Sequence, residues 1–178
     1  HTNAVFGFLN IMFKIIDSKQ PDYMAVAFDV HQPTFRHEMF KDYKGTRKPM
    51  MEELREQVPV IKELLQKMNI TTVELPGYEA DDVIGTLSKK GEKAGMEVDV
   101  ISGDRDLLQL ASDHITICIP KTKKGQTTVE EYNTEGVMKL YKVTPTEFID
   151  VKALMGDSSD NIPGVPGIGE KGATAIIS

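Results

Sequence analysis

The amino-acid sequence predicts an α/β fold with a mostly parallel central sheet that is flanked by helices. Short runs of β-branched residues alternate with longer segments of helical spacing, and Gly or Pro residues stand between them. The composition is that of one soluble globular domain, because 40% of the 178 residues are hydrophobic and 27% are charged. Strands that are separated by helices usually pair in parallel and are covered on both faces.

The elements are predicted in a regular order along the chain. Apolar residues at helical spacing predict helices at 5–16, 51–68, 79–93, 133–142 and 145–155, the second with a kink or restart at Pro59. Apolar and β-branched runs predict strands at 23–28, 70–75 and 98–101, and the alternation of Ile115, Ile117 and Ile119 predicts another. We interpret the first helix as a buried one, because it is too short to span a membrane and lacks the basic start of a signal peptide.

A single cysteine, Cys118, limits the chemistry that sulfur can supply. It cannot form an internal disulfide, and it lies in the last of these predicted strands. We interpret it as a packed structural thiol and not as a nucleophile. The absence of a disulfide framework favours a reducing, cytoplasmic location.

The charges are separated along the sequence, although the net charge of −6 by itself argues against a nucleic-acid partner. Positive residues gather in two places: Arg36, Lys41, Lys44, Arg47 and Lys48 in one, and Lys121, Lys123 and Lys124 in the other. A protein that separates its charges in this way can bind phosphates in one place and cations in another. The alternative is that these groups are ordinary solvated faces.

Acidic residues follow three of the predicted strands. They are Asp29 after the first, Glu79, Asp81 and Asp82 after the second, and Asp104 and Asp106 after the third. Because the functional crevice of an open α/β sheet lies at the carboxyl ends of its strands, we expect these carboxylates to converge. Acids at helix starts also serve as caps, but that explanation suits one cluster better than three.

This set of ligands indicates the kind of metal. The histidines His1, His31, His37 and His114 are scattered, which argues against a zinc site of nitrogen and sulfur ligands. Oxygen ligands suit Mg²⁺ or Mn²⁺. Two such ions about 4 Å apart can activate water and stabilise the leaving oxygen of a phosphodiester. Cations would also relieve the repulsion between the carboxylates. The acids therefore predict a two-metal phosphodiesterase.

The last segment of the chain indicates contact with DNA. The run from Gly164 to Gly169 lies between two helical stretches and resembles a helix-hairpin-helix motif. Its glycines would let backbone N–H groups approach a phosphate, and the following helix would add its positive N-terminal dipole. The motif comes directly after Gly156-Asp-Ser-Ser-Asp160, which makes it more specific than glycine spacing alone.

Several motifs in this order resemble the 5′-nuclease domains of bacterial DNA polymerase I. They are Phe28-Asp29, Thr34-Phe-Arg-His-Glu38, Tyr43-Lys-Gly-Thr-Arg47, Gly77-Tyr-Glu-Ala-Asp-Asp82, Ser102-Gly-Asp-Arg-Asp-Leu-Leu-Gln109 and Met155-Gly-Asp-Ser-Ser-Asp-Asn-Ile-Pro-Gly164. The resemblance covers essentially the whole chain. It implies the fold of flap endonucleases and PIN-like nucleases, with a catalytic core over 1–145, an arch segment over about 30–50 and a helix-hairpin-helix over 146–178.

The resemblance also implies an activity. Family members cut 5′ flaps and degrade 5′ ends of DNA, and they remove RNA primers and damaged DNA in replication and repair. Nicked and RNA-primed DNA are therefore expected substrates, with no membrane partner. A polymerase domain in the same full-length chain and a monomeric state are expected as well.

Residue roles follow from the resemblance position by position. It implies that Asp29, Glu79, Asp81 and Asp82 surround a first metal, and that Asp104, Asp106, Asp157 and Asp160 surround a second. Arg36, Tyr43, Lys44 and Arg47 fall in the arch, where Lys44 and Arg47 are expected to bind the scissile phosphate. Tyr43 either stacks on an unpaired base or packs within the arch. Gly164, Gly167, Gly169 and Lys171 are expected at the DNA backbone, with a K⁺ ion at the hairpin.

Two departures from the family pattern stand out. Family members begin with an apolar strand that ends in an Asp-Gly-Asn-like run, whose Asp is a metal ligand, whereas this sequence starts downstream of that strand and stops at Ser178, inside the second helix of the hairpin motif. We therefore expect either a fragment or a sequence that omits residues at both ends, and we expect these 178 residues to be impaired in cleavage while they keep DNA recognition.

Two other functions are alternatives to this one. A haloacid dehalogenase-type phosphatase needs a nucleophilic Asp two residues before a second Asp, but Asp29 is followed by Val30 and His31. A DNA-structure-binding module of the same fold that does not cut is the other alternative. The many acids argue against it, because a protein that only binds DNA gains nothing from their mutual repulsion.

Overall fold

The computed structural model describes residues 2–123 and 126–178. The helices are α1 (Asn3–Lys19), α2 (Phe35–Met39), α3 (Glu52–Arg55), α4 (Gln57–Lys67), α5 (Ala80–Lys93), α6 (Thr134–Tyr141), α7 (Glu147–Met155) and α8 (Glu170–Ile177), and a 3₁₀ helix covers Arg105–Leu110. The strands are β1 (Ala25–Ala27), β2 (Thr71–Val73), β3 (Val98–Ile101), β4 (Ile115–Lys123) and β5 (Gln126–Tyr132). His1 and Lys124, both named above, lie outside the described residues.

The chain forms two compact units, and the first comprises 1–32 and 48–83. Its strands β1 and β2 pair in parallel, with Val26 opposite Thr72. Its core is formed by Val5 and Met12 of α1 and by Ile61 and Leu65 of α4. At the start of α1, the backbone N–H of Ala4 donates to Gln57 Oε1 at 2.8 Å. The buried amide of Gln57 thereby satisfies a donor that the first helical turn leaves without an intrahelical partner.

The second unit comprises 33–47 and 84–178. Strand β3 pairs in parallel with β4, and β4 pairs with β5 as an antiparallel hairpin. Apolar side chains of the 3₁₀ helix, β4, α6 and α7 form its core, including the fully buried Leu108, Ile117, Val137 and Val151. Cys118 is also fully buried, which confirms its interpretation as a packed thiol.

The α/β class is confirmed, and two of the three strand pairings in the described part of the chain are parallel. Within the described residues, β1 and β2 form one sheet, and β3, β4 and β5 form another. Strand β5, helix α2 and the 3₁₀ helix were not predicted. The predicted boundary between 145 and 146 stays a prediction.

Two predicted helices differ from those observed. The helix predicted over 51–68 is divided at Glu56 into α3 and α4. Pro59 lies in the first turn of α4, where its missing N–H leaves no intrahelical bond unmade, so it marks a restart and not a kink. Helix α1 buries one face only, because Phe6 is 68% exposed, and the prediction of a buried helix is wrong in that respect. Among the described residues, no helix combines the length and apolar character that crossing a membrane requires.

Candidate metal centre and nucleic-acid interface

The first predicted acidic group lies in the first unit, where it joins the end of β1 to the start of α5. The backbone N–H of Ala80 donates to Asp29 Oδ1 at 2.7 Å, and the N–H of Glu79 donates to Asp82 Oδ2 at 2.9 Å. Glu79 is buried, and Asp81 lies in the first turn of the helix. Asp29 and Asp82 thus satisfy backbone donors at a helix start, which is the capping role considered above.

The second predicted acidic group lies in the second unit, and Lys152 is at its centre. Lys152 Nζ lies 2.8 Å from Asp106 Oδ1 and 2.9 Å from Asp157 Oδ2. Asp104 caps the 3₁₀ helix, because its Oδ1 accepts the N–H of Asp106 at 2.8 Å. The structure therefore brings Asp106 and Asp157, which are far apart in sequence, to the same ammonium group.

The loop after α7 fixes the position of Asp157. Its Oδ1 accepts the N–H of Ser159 at 2.8 Å, the hydroxyl of Ser159 at 2.6 Å and the N–H of Asp160 at 3.2 Å. The backbones of Asp157 and Ile162 form an antiparallel bridge that closes the loop. This short, self-bonded turn holds both Asp157 and Asp160, the two loop acids predicted from the sequence.

Burial and hydrogen bonds shift the pKa values of Lys152 and of the two carboxylates that contact it. Burial raises the pKa of Asp106 above its usual value. Burial acts in the same direction on Asp157, but hydrogen bonds from Ser159 and Lys152 outweigh it and hold that pKa well below its usual range. Burial acts to lower the pKa of Lys152, and the bonds to Asp106 and Asp157 raise it overall. The two carboxylates respond differently to the same ammonium, because Asp157 also has Ser159 as a donor.

The side chains of this second group are of the chemical kind that binds divalent cations. The donors are carboxylate oxygens, which suit hard ions such as Mg²⁺ or Mn²⁺. An ammonium group already lies between two of them, so the position is one that attracts positive charge. Within 2–123 and 126–178 no three acidic, histidine or cysteine side chains are grouped closely enough to hold a metal. The ligand roles of both acidic groups stay predictions.

The predicted arch segment contains α2 and a series of turns over 41–46. The Arg36 guanidinium lies 4.6 Å from the centre of the Phe35 ring, and Lys44 Nζ lies 5.1 Å from that of Tyr43. Tyr43 is only 5% exposed, and its ring meets that of His37 edge-on at 5.2 Å. Of the two sequence-based alternatives for Tyr43, the structure shows packing within the segment, and base stacking stays a prediction.

Asp160 connects this segment to the acidic loop. Arg47 Nη2 lies 2.5 Å from Asp160 Oδ1, and the Tyr43 hydroxyl donates to Asp160 Oδ2 at 3.1 Å. The backbone N–H of Lys44 donates to the Asp160 carbonyl at 2.9 Å. Two residues that the sequence predicts for different tasks, phosphate binding and metal binding, are therefore ion-pair partners.

The glycines of the hairpin between α7 and α8 differ in the space that surrounds them. A Cβ atom on Gly164 would lie 2.3 Å from the carbonyl carbon of Met155, so this position is packed against the backbone at the end of α7. Gly167 has φ of +82°, which favours glycine, and a Cβ atom on Gly167 or Gly169 would meet nothing within 4 Å. Gly169 is the N-cap of α8, and Lys171 is exposed in its first turn. Only Gly167 and Gly169 thus leave open space for a phosphate.

Two features of the site went beyond what the sequence revealed. The sequence does not identify Lys152 as a site residue. It shows only that Lys152 lies five residues before Asp157, and no local pattern indicates its contact with Asp106. For the second positive group, Lys121, Lys123 and Lys124, the sequence allows either a functional or a solvated role. Lys121 pairs with Glu130 at 2.7 Å across the β4–β5 hairpin, which favours the solvated interpretation for that residue.

Comparison with known families and relatives covers the whole chain. The family described as "5′-3′ exonuclease, N-terminal resolvase-like domain" matches residues 1–142, and that described as "5′-3′ exonuclease, C-terminal SAM fold" matches 143–178. The chain is 55% identical over 177 residues to DNA polymerase I of Bacillus subtilis (strain 168), which covers 99% of the chain and 20% of that relative. It spans about a fifth of the length of the curated relatives it matches.

Two solved structures from bacteriophage T5 are similar to the chain. A 5′-exonuclease with bound divalent zinc ions gives a TM-score of 0.75 at 28% identity, over 96% of this chain and 65% of that one. A flap endonuclease in complex with DNA and metal ions gives 0.76 at 27% identity, with the same coverage of both chains. These comparisons confirm the resemblance drawn from the sequence motifs and the PIN-like fold of flap endonucleases. The chain belongs to the 5′-3′ exonuclease family.

Proposed function

We propose that this chain is a structure-specific 5′-3′ exonuclease and flap endonuclease that hydrolyses phosphodiester bonds of DNA with two Mg²⁺ or Mn²⁺ ions. The observation that carries the proposal is the ammonium of Lys152 between the carboxylates of Asp106 and Asp157. Carboxylates from two separate segments that share one cation are what a hard-metal site needs. The divalent ions of the T5 nucleases support the same reading.

The acidic residues of this chain would divide between two ions. Asp104, Asp106, Asp157 and Asp160 would hold one, and Asp29, Glu79, Asp81 and Asp82 the other. When bound, such ions supply activation of water and neutralise charge that develops on the phosphodiester. The chain's own part is to fix the carboxylates: the Ser159 hydrogen bonds orient Asp157, and the capping bond orients Asp104.

The arch segment would position the substrate. Lys44, Arg47 and Arg36 are cations on one short segment, and Lys44 and Arg47 would bind the scissile phosphate and stabilise charge in the transition state. These contacts fit the backbone of DNA better than its bases, so the segment would bind without sequence preference. Tyr43 would support them from inside the segment.

The hairpin would bind the duplex beside the cut. Gly167 and Gly169 leave room for a phosphate at the start of α8, where backbone N–H groups and the helix dipole favour an anion. Lys171 would add a charge to the same contact, and a K⁺ ion would bind at the hairpin. Gly164 would act indirectly by keeping the hairpin closed.

The biological role would be primer removal and DNA repair, on 5′ flaps, nicks, 5′ ends and RNA-primed DNA. Because the chain spans a fifth of its polymerase relatives, we place it in a longer DNA polymerase I that also carries a polymerase domain. We place that protein in the cytoplasm as a monomer.

Cleavage of a labelled 5′-flap DNA with Mg²⁺ tests the proposal. Asp106→Asn and Asp157→Asn should each slow cleavage by about 100-fold or more, because loss of a ligand misplaces the reacting groups. Asp113→Asn, a change of the same kind at an exposed site in the same unit, should leave the rate unchanged. Binding of the same DNA with Ca²⁺ should survive all three changes.

Two outcomes would redirect the proposal. Equal cleavage by the three variants and the unmodified chain would show that the second acidic group is misassigned. Binding with Ca²⁺ and no cleavage by any protein, including one extended at its N-terminus, would favour the DNA-binding module instead.

A further inference from the structure

Both carboxylate oxygens of Asp160 are occupied by side chains of the arch segment. Arg47 Nη2 lies 2.5 Å from Oδ1, and the Tyr43 hydroxyl donates to Oδ2 at 3.1 Å. Around this contact, Arg47 Nε donates to the Ser159 carbonyl at 3.3 Å, and Asn161 Nδ2 donates to the Asp42 carbonyl at 2.8 Å. Segments that are 113 residues apart at Arg47 and Asp160 are thus joined around one carboxylate.

The two partners of Asp160 differ in how easily they can leave. The Arg47 side chain is 51% exposed, whereas that of Asp160 is 19% exposed. Arg47 can therefore turn into solvent without disturbing the core. Tyr43 is buried against His37 and would stay in place. The contact is releasable at Arg47 and fixed at Tyr43.

The backbone beside Arg47 depends on the same contact. Lys44 has φ of +55°, in the left-handed region that non-glycine residues adopt infrequently. Its N–H is held by the Asp160 carbonyl at 2.9 Å, and the Arg47 N–H is held by the Lys44 carbonyl at 3.0 Å. The docked form of the segment is therefore stabilised by these contacts and not by local preference.

We infer that Asp160 is a shared acceptor that couples divalent cation binding to the release of Arg47. A cation that binds Asp160 lies beside the Arg47 guanidinium, and the two positive charges repel each other. Without metal, Arg47 is held on Asp160 and is withheld from phosphate. With metal, Arg47 is displaced and becomes available to DNA. The inference rests on the proposed function, in which Asp160 is a metal ligand and Arg47 a phosphate contact.

Coupling of this kind has a measurable consequence. If Arg47 and the metal compete for Asp160, removal of the guanidinium must strengthen metal binding, because linkage between two ligands is reciprocal. Because an exposed ion pair contributes little energy, loss of the Arg47–Asp160 pair should raise the affinity for the metal by about two- to fivefold. A contact that only supports the local structure would instead weaken metal binding when it is removed, since Asp160 would become less ordered.

Calorimetric titration of the chain with Mg²⁺ alone, without DNA, tests the inference. Arg47→Met should bind Mg²⁺ about two- to fivefold more tightly than the unmodified chain. Arg55→Met removes an arginine of an ion pair elsewhere, with Glu52 at 3.7 Å, and should leave the affinity unchanged. Unchanged or weaker binding by Arg47→Met would overturn the coupling. Asp160→Asn tests the ligand role of Asp160 separately from its coupling to Arg47. This substitution should weaken Mg²⁺ binding. An unchanged affinity would show that Asp160 is not a ligand, and the inference would then fail as well.

A chemical readout on the unmodified chain checks the release directly. Phenylglyoxal modifies exposed guanidinium groups, and peptide mass spectrometry reports the rate at each arginine. Saturating Mg²⁺ should raise the rate at Arg47 and leave that at Arg55 unchanged. The Mg²⁺ effect at Arg47 should vanish in Asp160→Asn. A rate at Arg47 that does not respond to Mg²⁺ in a chain shown by calorimetry to bind the ion would overturn the inference.

Discussion

Gly156 and Gly164 meet backbone to backbone at the two ends of the acidic loop. A Cβ atom on Gly156 would lie 2.3 Å from the nitrogen of Gly164, and one on Gly164 would lie 2.6 Å from the nitrogen of Gly156. Gly156 also has φ of +70°, which disfavours any side chain. This pair closes the loop that carries Asp157 and Asp160, so the site depends on two residues that have no side chain.

We expect Gly164→Ala to destabilise the protein. The added methyl group overlaps backbone atoms, which cannot move as a flexible side chain would, and overpacking of this kind lowers the free energy of unfolding by about 3 kcal/mol. Urea denaturation measures the change. Gly169→Ala is the matched control in the same hairpin, and its free energy of unfolding should stay within about 0.5 kcal/mol of the original. Equal effects of the two substitutions would contradict the close contact.

Gly169→Ala should instead affect DNA. Its Cβ atom would stand in open space at the N-cap of α8, where the proposed function places a phosphate. We expect DNA affinity to fall roughly fivefold, the equivalent of about one hydrogen bond. Fluorescence anisotropy with flap DNA and Ca²⁺ measures it. Gly7→Ala in α1, also without neighbours within 4 Å, should leave DNA binding unaltered. Identical DNA affinity for both variants would remove Gly169 from the interface.

The parts of the fold that follow local patterns were predictable from the sequence, and the parts that follow distant contacts were not. Strand β3 lies at 98–101 as predicted, because a run of Val and Ile is a local signal. Strand β5 carries Glu130 and Glu131 within its alternation, and only pairing with β4 makes it a strand. In the same way the acids were found from their motifs, whereas the contact of Lys152 with Asp106 depends on tertiary folding.

The stability contributed by Glu147 should depend on pH. The Thr144 backbone N–H donates to Glu147 Oε2 at 2.8 Å and the Thr144 hydroxyl at 2.8 Å, and these bonds lower the pKa of Glu147. The unfolded state therefore binds a proton more readily, so this contribution is present above the unfolded pKa of about 4.3 and is lost as pH falls through the lower folded pKa. Glu147→Gln should lose that pH dependence. Urea denaturation at several pH values between 3 and 7 should show the two proteins converging in acid; parallel profiles would contradict it.

Lys152→Met should make the stability of the protein more dependent on metal. The substitution keeps the length of the side chain but leaves Asp106 and Asp157 without their shared cation, at side-chain exposures of 39% and 18%. Unpaired, partly buried carboxylates repel one another and lose charged hydrogen bonds, so the metal-free variant should lose about 1–3 kcal/mol of stability. A divalent ion that takes the place of the ammonium would relieve this repulsion, because a ligand that binds only the folded state stabilises it.

The rise in thermal midpoint that saturating Mg²⁺ produces should therefore be larger for Lys152→Met than for the unmodified chain. Lys121→Met is the matched control, since it breaks an ion pair with a similar N···O distance: Lys121 Nζ lies 2.7 Å from Glu130 Oε1 on the β4–β5 hairpin. That control should respond to Mg²⁺ as the unmodified chain does, and it should lose at most about 1 kcal/mol because both of its partners are exposed. If Lys152 instead holds the carboxylates in position for the metal, the Mg²⁺-induced rise will shrink in Lys152→Met. A larger Mg²⁺-induced rise in Lys152→Met than in the unmodified chain would show that the ammonium occupies the position of the metal. A smaller rise would show that Lys152 holds the carboxylates in place for the metal.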